Sequence, residues 1–237
     1  MKVDVLAIGA HPDDVELGVG GLVCKLCQAG YRVVIVDLTE GELASRGTVA
    51  ERRTEAENAA AILGVAEREN VGLPDGGLVN TPEQRRILAR FIRKYRPQVL
   101  LAPMKDDRHP DHHAAHFLAQ DANYFAGVAG VDAGHSPYRV PHVYYYRVYG
   151  DSSSPQFVID VSAQMEKKLE ALRAYRSQFH NPDYQGEPTY VASPEFWESI
   201  QARAASLGAR IGVACAEGLH IDTPVVIELP IGLEPPA

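Results

Sequence analysis

Strand-length runs dominated by apolar residues, each followed by a polar loop and then a helix-length stretch, constrain this chain more than any other feature. Val3 to Ile8 is the first such run, Tyr31 to Leu38 the second and Gln98 to Ala102 a later one. Strands buried on both faces read this way, whereas half-exposed strands alternate apolar with polar residues. The segments between them carry helix signals. Val15 to Gln28 has apolar residues at helical intervals, with Gly30 to end it. Thr48 and Glu51 form a capping box for a helix that runs to Leu63 and stops at Gly64. Thr81-Pro82-Glu83 opens another, which ends before Pro97. A short strand over Glu69 to Leu73 and a helix from about His112 to Phe125 complete the alternation. The pattern predicts an α/β fold: a Rossmann-like, mostly parallel sheet with helices on both faces and an active site at the C-terminal ends of the strands.

The second half is less regular. Gly127 to Pro141 and Ser177 to Pro194 read as long polar loops, His142 to Arg147 and Phe157 to Val161 as strands. Ser162 to Tyr175 and Glu195 to Ile211 read as helices, and Val225 to Leu229 as a last short strand. The 237 residues are expected to form one domain, with a core over 1–126 and substrate-wall loops plus a C-terminal elaboration over 127–237.

Two loops that follow apolar runs concentrate ionisable groups. Ala10-His11-Pro12-Asp13-Asp14-Val15-Glu16 follows the first run, and Asp106-Asp107-Arg108-His109-Pro110-Asp111-His112-His113 follows Val99 to Ala102. Imidazoles with adjacent carboxylates suit a divalent metal such as zinc, with a carboxylate to spare as base. His11 and Asp14 can point the same way from one tight loop while His112 reaches in from the other. Any one of these residues alone reads better as part of a solvated turn or an exposed helix start; the pair of loops favours metal. Asp13 would then sit beside the site as a general base. His109 would face the substrate carbonyl, with Asp111 on its other ring nitrogen raising its pKa. His113 and His116 read as helix-surface histidines.

Composition removes other classes. A formal charge of −8 argues against a general nucleic-acid or anionic-membrane binder. The sequence has no apolar run long enough for a membrane span, and a strand at its very start leaves no room for a signal peptide, so a cytoplasmic location is expected. Cys24, Cys27 and Cys215 make no disulfide framework and read as packing residues. Gly18-x-Gly20-Gly21 invites a nucleotide-loop reading, but a dinucleotide fingerprint places its first glycine in the turn directly after the strand. Arg52 and Arg53, opening a helix beside the Glu40 to Gly47 loop, are candidates to grip an anionic substrate group.

The blocks Ala10-His11-Pro12-Asp13-Asp14 and His109-Pro110-Asp111-His112 resemble the paired signature of the PIG-L/LmbE-like zinc deacetylases of N-acetylglucosamine compounds. The resemblance extends through Thr39-Glu40-Gly41-Glu42, Pro74-Asp75-Gly76, Tyr175 to Phe179 and Gly212 to Gly218, nearly the whole chain. The later blocks are similar to the bacillithiol-biosynthesis branch, which acts on N-acetylglucosaminyl-malate. The resemblance implies one Zn2+ per chain at His11, Asp14 and His112, with Asp13 as base. It implies His109 facing the oxyanion and leaving amine, with Asp111 behind it. Arg52, Tyr190 and Glu42 fall where such enzymes meet substrate. A homo-oligomer, hexameric in that branch, is implied as well. Two alternatives stand beside this expectation: a deacetylase of another N-acyl sugar (a chito-oligosaccharide or a mycothiol precursor), and a nucleotide-binding module.

Overall fold

The computed structural model describes residues 3–150 and 154–224. Along the chain run β1 (Val5–Gly9), α1 (Asp14–Gln28), β2 (Val33–Thr39), α2 (Val49–Leu63) and β3 (Glu67–Leu73). Then follow α3 (Pro82–Tyr95), β4 (Val99–Pro103), α4 (Pro110–Ala126) and β5 (His142–Tyr146). The second half adds β6 (Phe157–Asp160), α5 (Met165–Ala174), α6 (Pro194–Ala209) and β7 (Ala216–Leu219).

Five strands form one sheet in the order β3-β2-β1-β4-β5, and every pair is parallel. This is the expected Rossmann-like α/β architecture. Alternate residues of the inner strands enter opposite cores. Val5, Ala7, Val33 and Ile35 pack with α1, α2, α5 and α6, whereas Leu6, Ile8, Val34 and Val36 pack with α3 and α4. Covering both faces is what makes β1 and β2 continuously apolar. From β1 the chain steps outward to β2 and β3, then returns to the other side for β4. The loops after β1 and β4 therefore meet at the crevice where strand order reverses.

Helix α1 is two helices in line. Val19 leaves helical geometry (φ −140, ψ 24), and the polar groups exposed by the break are satisfied from far along the chain. Lys168 on α5 donates to the Leu17 carbonyl at 2.9 Å, and Glu217 on β7 accepts from the amides of Gly21 (3.0 Å) and Leu22 (2.7 Å). Lys168 and Glu217, both buried, also pair at 2.6 Å. The amides that a nucleotide phosphate would need are thus already capped by a carboxylate. Gly18 has a packing role, since a Cβ there would lie 2.2 Å from the Tyr146 ring. The nucleotide-binding alternative has no support in this geometry.

Strand β7 was not expected from the sequence. Ala216-Glu217-Gly218-Leu219 has weak strand propensity, and antiparallel pairing with β6 makes it a strand. The expected strand at Val225 to Leu229 lies outside the described residues. Helix α4 starts at Pro110, two residues before the expected His112, with Pro at its first position and His109 as N-cap. No helix among the described residues is long and apolar enough to cross a membrane.

Beneath the crevice lies a buried charge cluster. Arg68 of β3 donates to both oxygens of Asp37 (2.7 and 2.9 Å) and to Glu16 (2.5 Å), and the Tyr175 hydroxyl also donates to Glu16 (3.1 Å). Removing the cation strands two carboxylates in a low-dielectric interior. Arg68→Met is expected to cost about 3–5 kcal/mol in urea denaturation, with the loss recovered only in part by Arg68→Lys. A change under about 1 kcal/mol would show that water or backbone compensates the carboxylates.

Candidate metal centre and catalytic cleft

The β1–α1 loop is held by its own side chains. The His11 amide donates to Asp14 Oδ2 at 2.8 Å, and the Leu17 amide donates to the Asp13 carbonyl at 2.9 Å. Asp13 takes φ 112, ψ −21, a left-handed conformation that is costly for a residue with a Cβ. Arg52 of α2 braces the turn, donating through Nη2 to the Pro12 carbonyl (2.5 Å) and to Asp13 Oδ2 (3.1 Å), and through Nη1 to the Gly41 carbonyl (3.2 Å).

The loop after β4 is organised by Asp107, whose Oδ1 accepts from the His109 amide (3.1 Å) and whose Oδ2 accepts from the Tyr149 amide (2.9 Å). His109 Nδ1 accepts the Asp111 amide at 3.2 Å, which leaves Nε2 to carry the proton of the neutral ring. His112, in the first turn of α4, is fully buried.

The two loops converge on Asp14. Its Oδ1 lies 3.1 Å from His112 Nε2, and its Oδ2 lies 3.5 Å from His11 Nδ1. His109 completes the group, with a ligand nitrogen within 4.8 Å of those on His11 and His112. Each inner imidazole has carboxylates behind it. His11 Nε2 is 3.1 Å from Asp75 and 3.4 Å from Asp111, and His112 Nδ1 is 3.0 Å from Asp107. Two imidazole nitrogens and a carboxylate converging at one point, each ring fixed from behind by an acid, is the donor set of a three-residue divalent-metal site. The donors that lie within 4.8 Å of one another, His11 with His109 and His112 and His11 with Asp75 and Asp111, make this a candidate divalent-metal site, with Asp14 in contact with both His11 and His112.

Burial and charge set the titration of these groups. Burial opposes a charge on His112, but Asp14 and Asp107 overcome it and raise its pKa to about 9. His11 is likewise raised, its burial outweighed by Asp111, Asp14 and Asp75, and Asp14 is held well below the carboxylate range despite its burial, chiefly by His112. Burial drives Asp13 up to about 7 against the pull of Arg52. His109 is pushed down by burial and by the neighbouring His11 and His112.

These contacts correct several expectations. The Asp111 carboxylate accepts the Gly76 amide (2.8 Å) and faces His11; only its backbone amide meets the His109 ring, and burial with the neighbouring His11 and His112 holds the His109 pKa below the ordinary imidazole value instead of above it. Glu42 accepts the Asp75 amide (2.8 Å) and so caps the Pro74–Gly77 turn. Arg52 is buried against Asp13, whereas Arg53 is exposed and pairs with Glu40. Tyr190 stands 58% exposed at the rim, packed on Phe196. His116 is no surface residue: it is fully buried on the inner face of α4, its Nδ1 3.2 Å from the Pro103 carbonyl and its Nε2 2.9 Å from Asp222. Sequence reasoning missed the roles of Asp75, Asp107 and Tyr149. The turn composition at Pro74-Asp75-Gly76 and the position of Asp107 two residues before His109 were their only traces.

A cleft of about 240 Å³ opens onto this centre, lined by Asp13, Leu43, Arg52, His109, Tyr149, Phe179 and Val191 among others. Arg46 ties its two walls together, donating to the carbonyls of Ser177 (2.7 Å) and Glu187 (2.8 Å). The Tyr149 ring stacks on His112, 5.4 Å between centroids.

A ring raised to about 9 must lose a proton before its nitrogen can ligate, so metal affinity should rise with pH up to about 9. The expected slope is about tenfold per unit for each proton displaced, read by calorimetry in buffers of different ionisation enthalpy. Asp107→Asn should weaken metal binding by roughly 10- to 100-fold at unchanged ligand composition. Affinity flat between pH 6 and 9 would mean the histidines are neutral in the metal-free protein.

Comparison with known proteins agrees with this reading of the fold. A family described as PIG-L, GlcNAc-PI de-N-acetylase, matches residues 6–123. Diacetylchitobiose deacetylase of Thermococcus kodakarensis is 34% identical over 91% of this chain and 82% of its own. The crystal structure of the conserved protein TT1542 from Thermus thermophilus superposes with a TM-score of 0.87 at 38% identity, covering 98% of this chain and all of that one. N,N'-diacetylchitobiose deacetylase from Pyrococcus horikoshii, complexed with its inhibitor MPG, superposes with a TM-score of 0.80 at 30% identity, covering 92% and 82%.

Proposed function

The chain belongs to the PIG-L/LmbE-like deacetylase family, and from that premise we propose that it hydrolyses the N-acetyl group of an N-acetylglucosamine conjugate with an anionic aglycone, N-acetylglucosaminyl-malate of bacillithiol biosynthesis foremost. The observation that carries the reaction is the convergence of His11 and His112 on Asp14, with His11, Asp13 and Asp14 lining one cleft. The observation that favours an anionic aglycone is Arg108. Its guanidinium is exposed at the rim, 4.6 Å from the Tyr149 ring and 4.6 Å from the Tyr190 ring, with no carboxylate partner among the described residues. One zinc per chain, a cytoplasmic setting and a homohexamer belong to the same reading.

A zinc ion held by His11, Asp14 and His112 would supply an acidified water and a polarised acetamide carbonyl. Asp13, with Oδ2 held by Arg52, has Oδ1 to take the proton of the attacking water, and a pKa of about 7 suits a base at neutral pH. His109 donates from Nε2 to the developing oxyanion, its tautomer fixed by the Asp111 amide. As the C–N bond breaks, the proton on Asp13 passes to the glucosamine nitrogen. Acetate and a free amine leave.

Acetate release from N-acetylglucosaminyl-malate and from N,N'-diacetylchitobiose by zinc-loaded protein tests both levels of the reading. Release from neither substrate would overturn it. Asp13→Asn should keep its metal and lose roughly 10²-fold or more in turnover. On the acid side kcat/KM should fall tenfold per pH unit once Asp13 is protonated, because a protonated carboxyl cannot accept the water proton. His109→Gln should lower turnover by about 10²-fold without moving an alkaline limb, since a neutral ring loses no proton there. Loss of an alkaline limb in that variant would restore the imidazolium. Arg108→Ala should raise KM for the malate conjugate by about tenfold and leave the chitobiose reaction unchanged. An equal effect on both would remove the case for an anionic aglycone.

A further inference from the structure

We propose that Gln178 is a specificity-determining residue of the cleft, its amide oxygen accepting a hydrogen bond from a ring hydroxyl of the hexosamine. The proposal rests on the deacetylase reading for its sugar, and goes beyond it by assigning the contact that senses one of the sugar's hydroxyls. Gln178 lines the cleft and is only 7% exposed. It is the one side-chain amide among the described residues there; the other polar side chains of the wall are those of the His/Asp centre, Arg52 and Tyr149.

Which end of the amide is free is decided by what lies behind it. Nε2 donates to the Arg46 carbonyl at 2.7 Å and to Ser177 Oγ at 2.8 Å, so both of its protons are used. The Ser177 hydroxyl can accept because its own proton goes to Glu55 Oε2 at 2.7 Å, while the Ser177 amide donates to Glu55 Oε1 at 2.7 Å. A turned amide would set its oxygen against the Arg46 carbonyl and against a hydroxyl whose proton is already spent. Ser177 and Glu55 are both buried, so water does not relieve that clash. Gly47 makes room for the relay: its φ is +74, and a Cβ there would lie 2.6 Å from Ser177 Oγ. Oε1 is therefore fixed as the free acceptor, with no donor among the described residues and still open to solvent. A neutral oxygen held in this way selects a donor such as a hydroxyl and repels a carboxylate. The contact thus falls to the sugar, while Arg108 at the rim faces the aglycone. A sugar without the matching hydroxyl would leave Oε1 unpaired, a penalty that an apolar wall cannot impose.

The test uses the full chain, zinc-loaded, as parent, Gln178→Leu and Ser177→Ala. Acetate release is measured from an N-acetylglucosamine conjugate and from its 3-, 4- and 6-deoxy analogues. In the parent, one of the three analogues should lose about tenfold or more in kcat/KM. Gln178→Leu should lose about as much on the full sugar and nothing further on that analogue, while the other two analogues fall in step with the full sugar. Ser177→Ala keeps Gln178 but frees its amide to turn, so the parent's discrimination should shrink. A purely structural role predicts an equal loss on all four substrates, and that result would overturn the proposal. Parent-like kcat/KM in Gln178→Leu would overturn it as well. Should Gln178→Leu fail to fold, the other proteins still decide: a parent indifferent to all three deletions, or undiminished discrimination in Ser177→Ala, sinks the idea. If the parent releases no acetate from any conjugate, the deacetylase reading fails and calorimetry takes over. N-acetylglucosamine should then bind the parent about tenfold more tightly than Gln178→Leu. Equal affinities, or no binding to either, would end the assignment of Gln178.

Discussion

The Asp14 carboxylate, buried between His11 and His112, is the interaction on which the rest of the structure depends. An anion there is stable only with opposite charge on both sides, and each imidazole in turn needs an acid behind it. That requirement propagates outward. Asp75 and Asp111 serve His11, Asp107 serves His112, and Arg52 serves Asp13. The sheet holds these groups at crevice depth because β1 and β4 are adjacent and parallel, so both loops leave at the same level.

Much of this was legible in the chain. Apolar strand runs, capping residues and glycine stops located the helices and strands of the first half because each signal is local. The two His/Asp loops were legible as a pair because both follow strand-like runs in an alternating α/β pattern. Pairings across loops were not legible. Asp111 stands beside His109 in sequence, and adjacency suggested a partnership that the helical turn at Pro110 prevents. His116 shares a helical face with His112, a relation that suited a surface histidine as well as a buried one; Asp222, more than 100 residues further on, decides the matter.

Strand β7 belongs to the same class of hidden feature. Nothing local marks Ala216 to Leu219 as a strand; its pairing with β6 and the demand of the α1 break for a carboxylate put it there. The glycines that invited a nucleotide reading are explained by the same contact, since the Gly21 amide meets Glu217 and Gly18 lies against Tyr146.

The break in α1 also bears on how the protein is made. The Gly21 amide is bonded to a carboxylate 196 residues later, and Lys168, which covers the Leu17 carbonyl, is 151 residues later. A nascent chain leaving the ribosome therefore carries the His11-Asp14 turn long before the groups that steady its helix exist. Sheet and helices of the first half can collapse early, but the turn acquires its final support only when nearly the whole polypeptide has emerged. Full support of the His11-Asp14 turn is thereby deferred until β7 has been made, and a chain interrupted before it lacks the carboxylate that caps the α1 break.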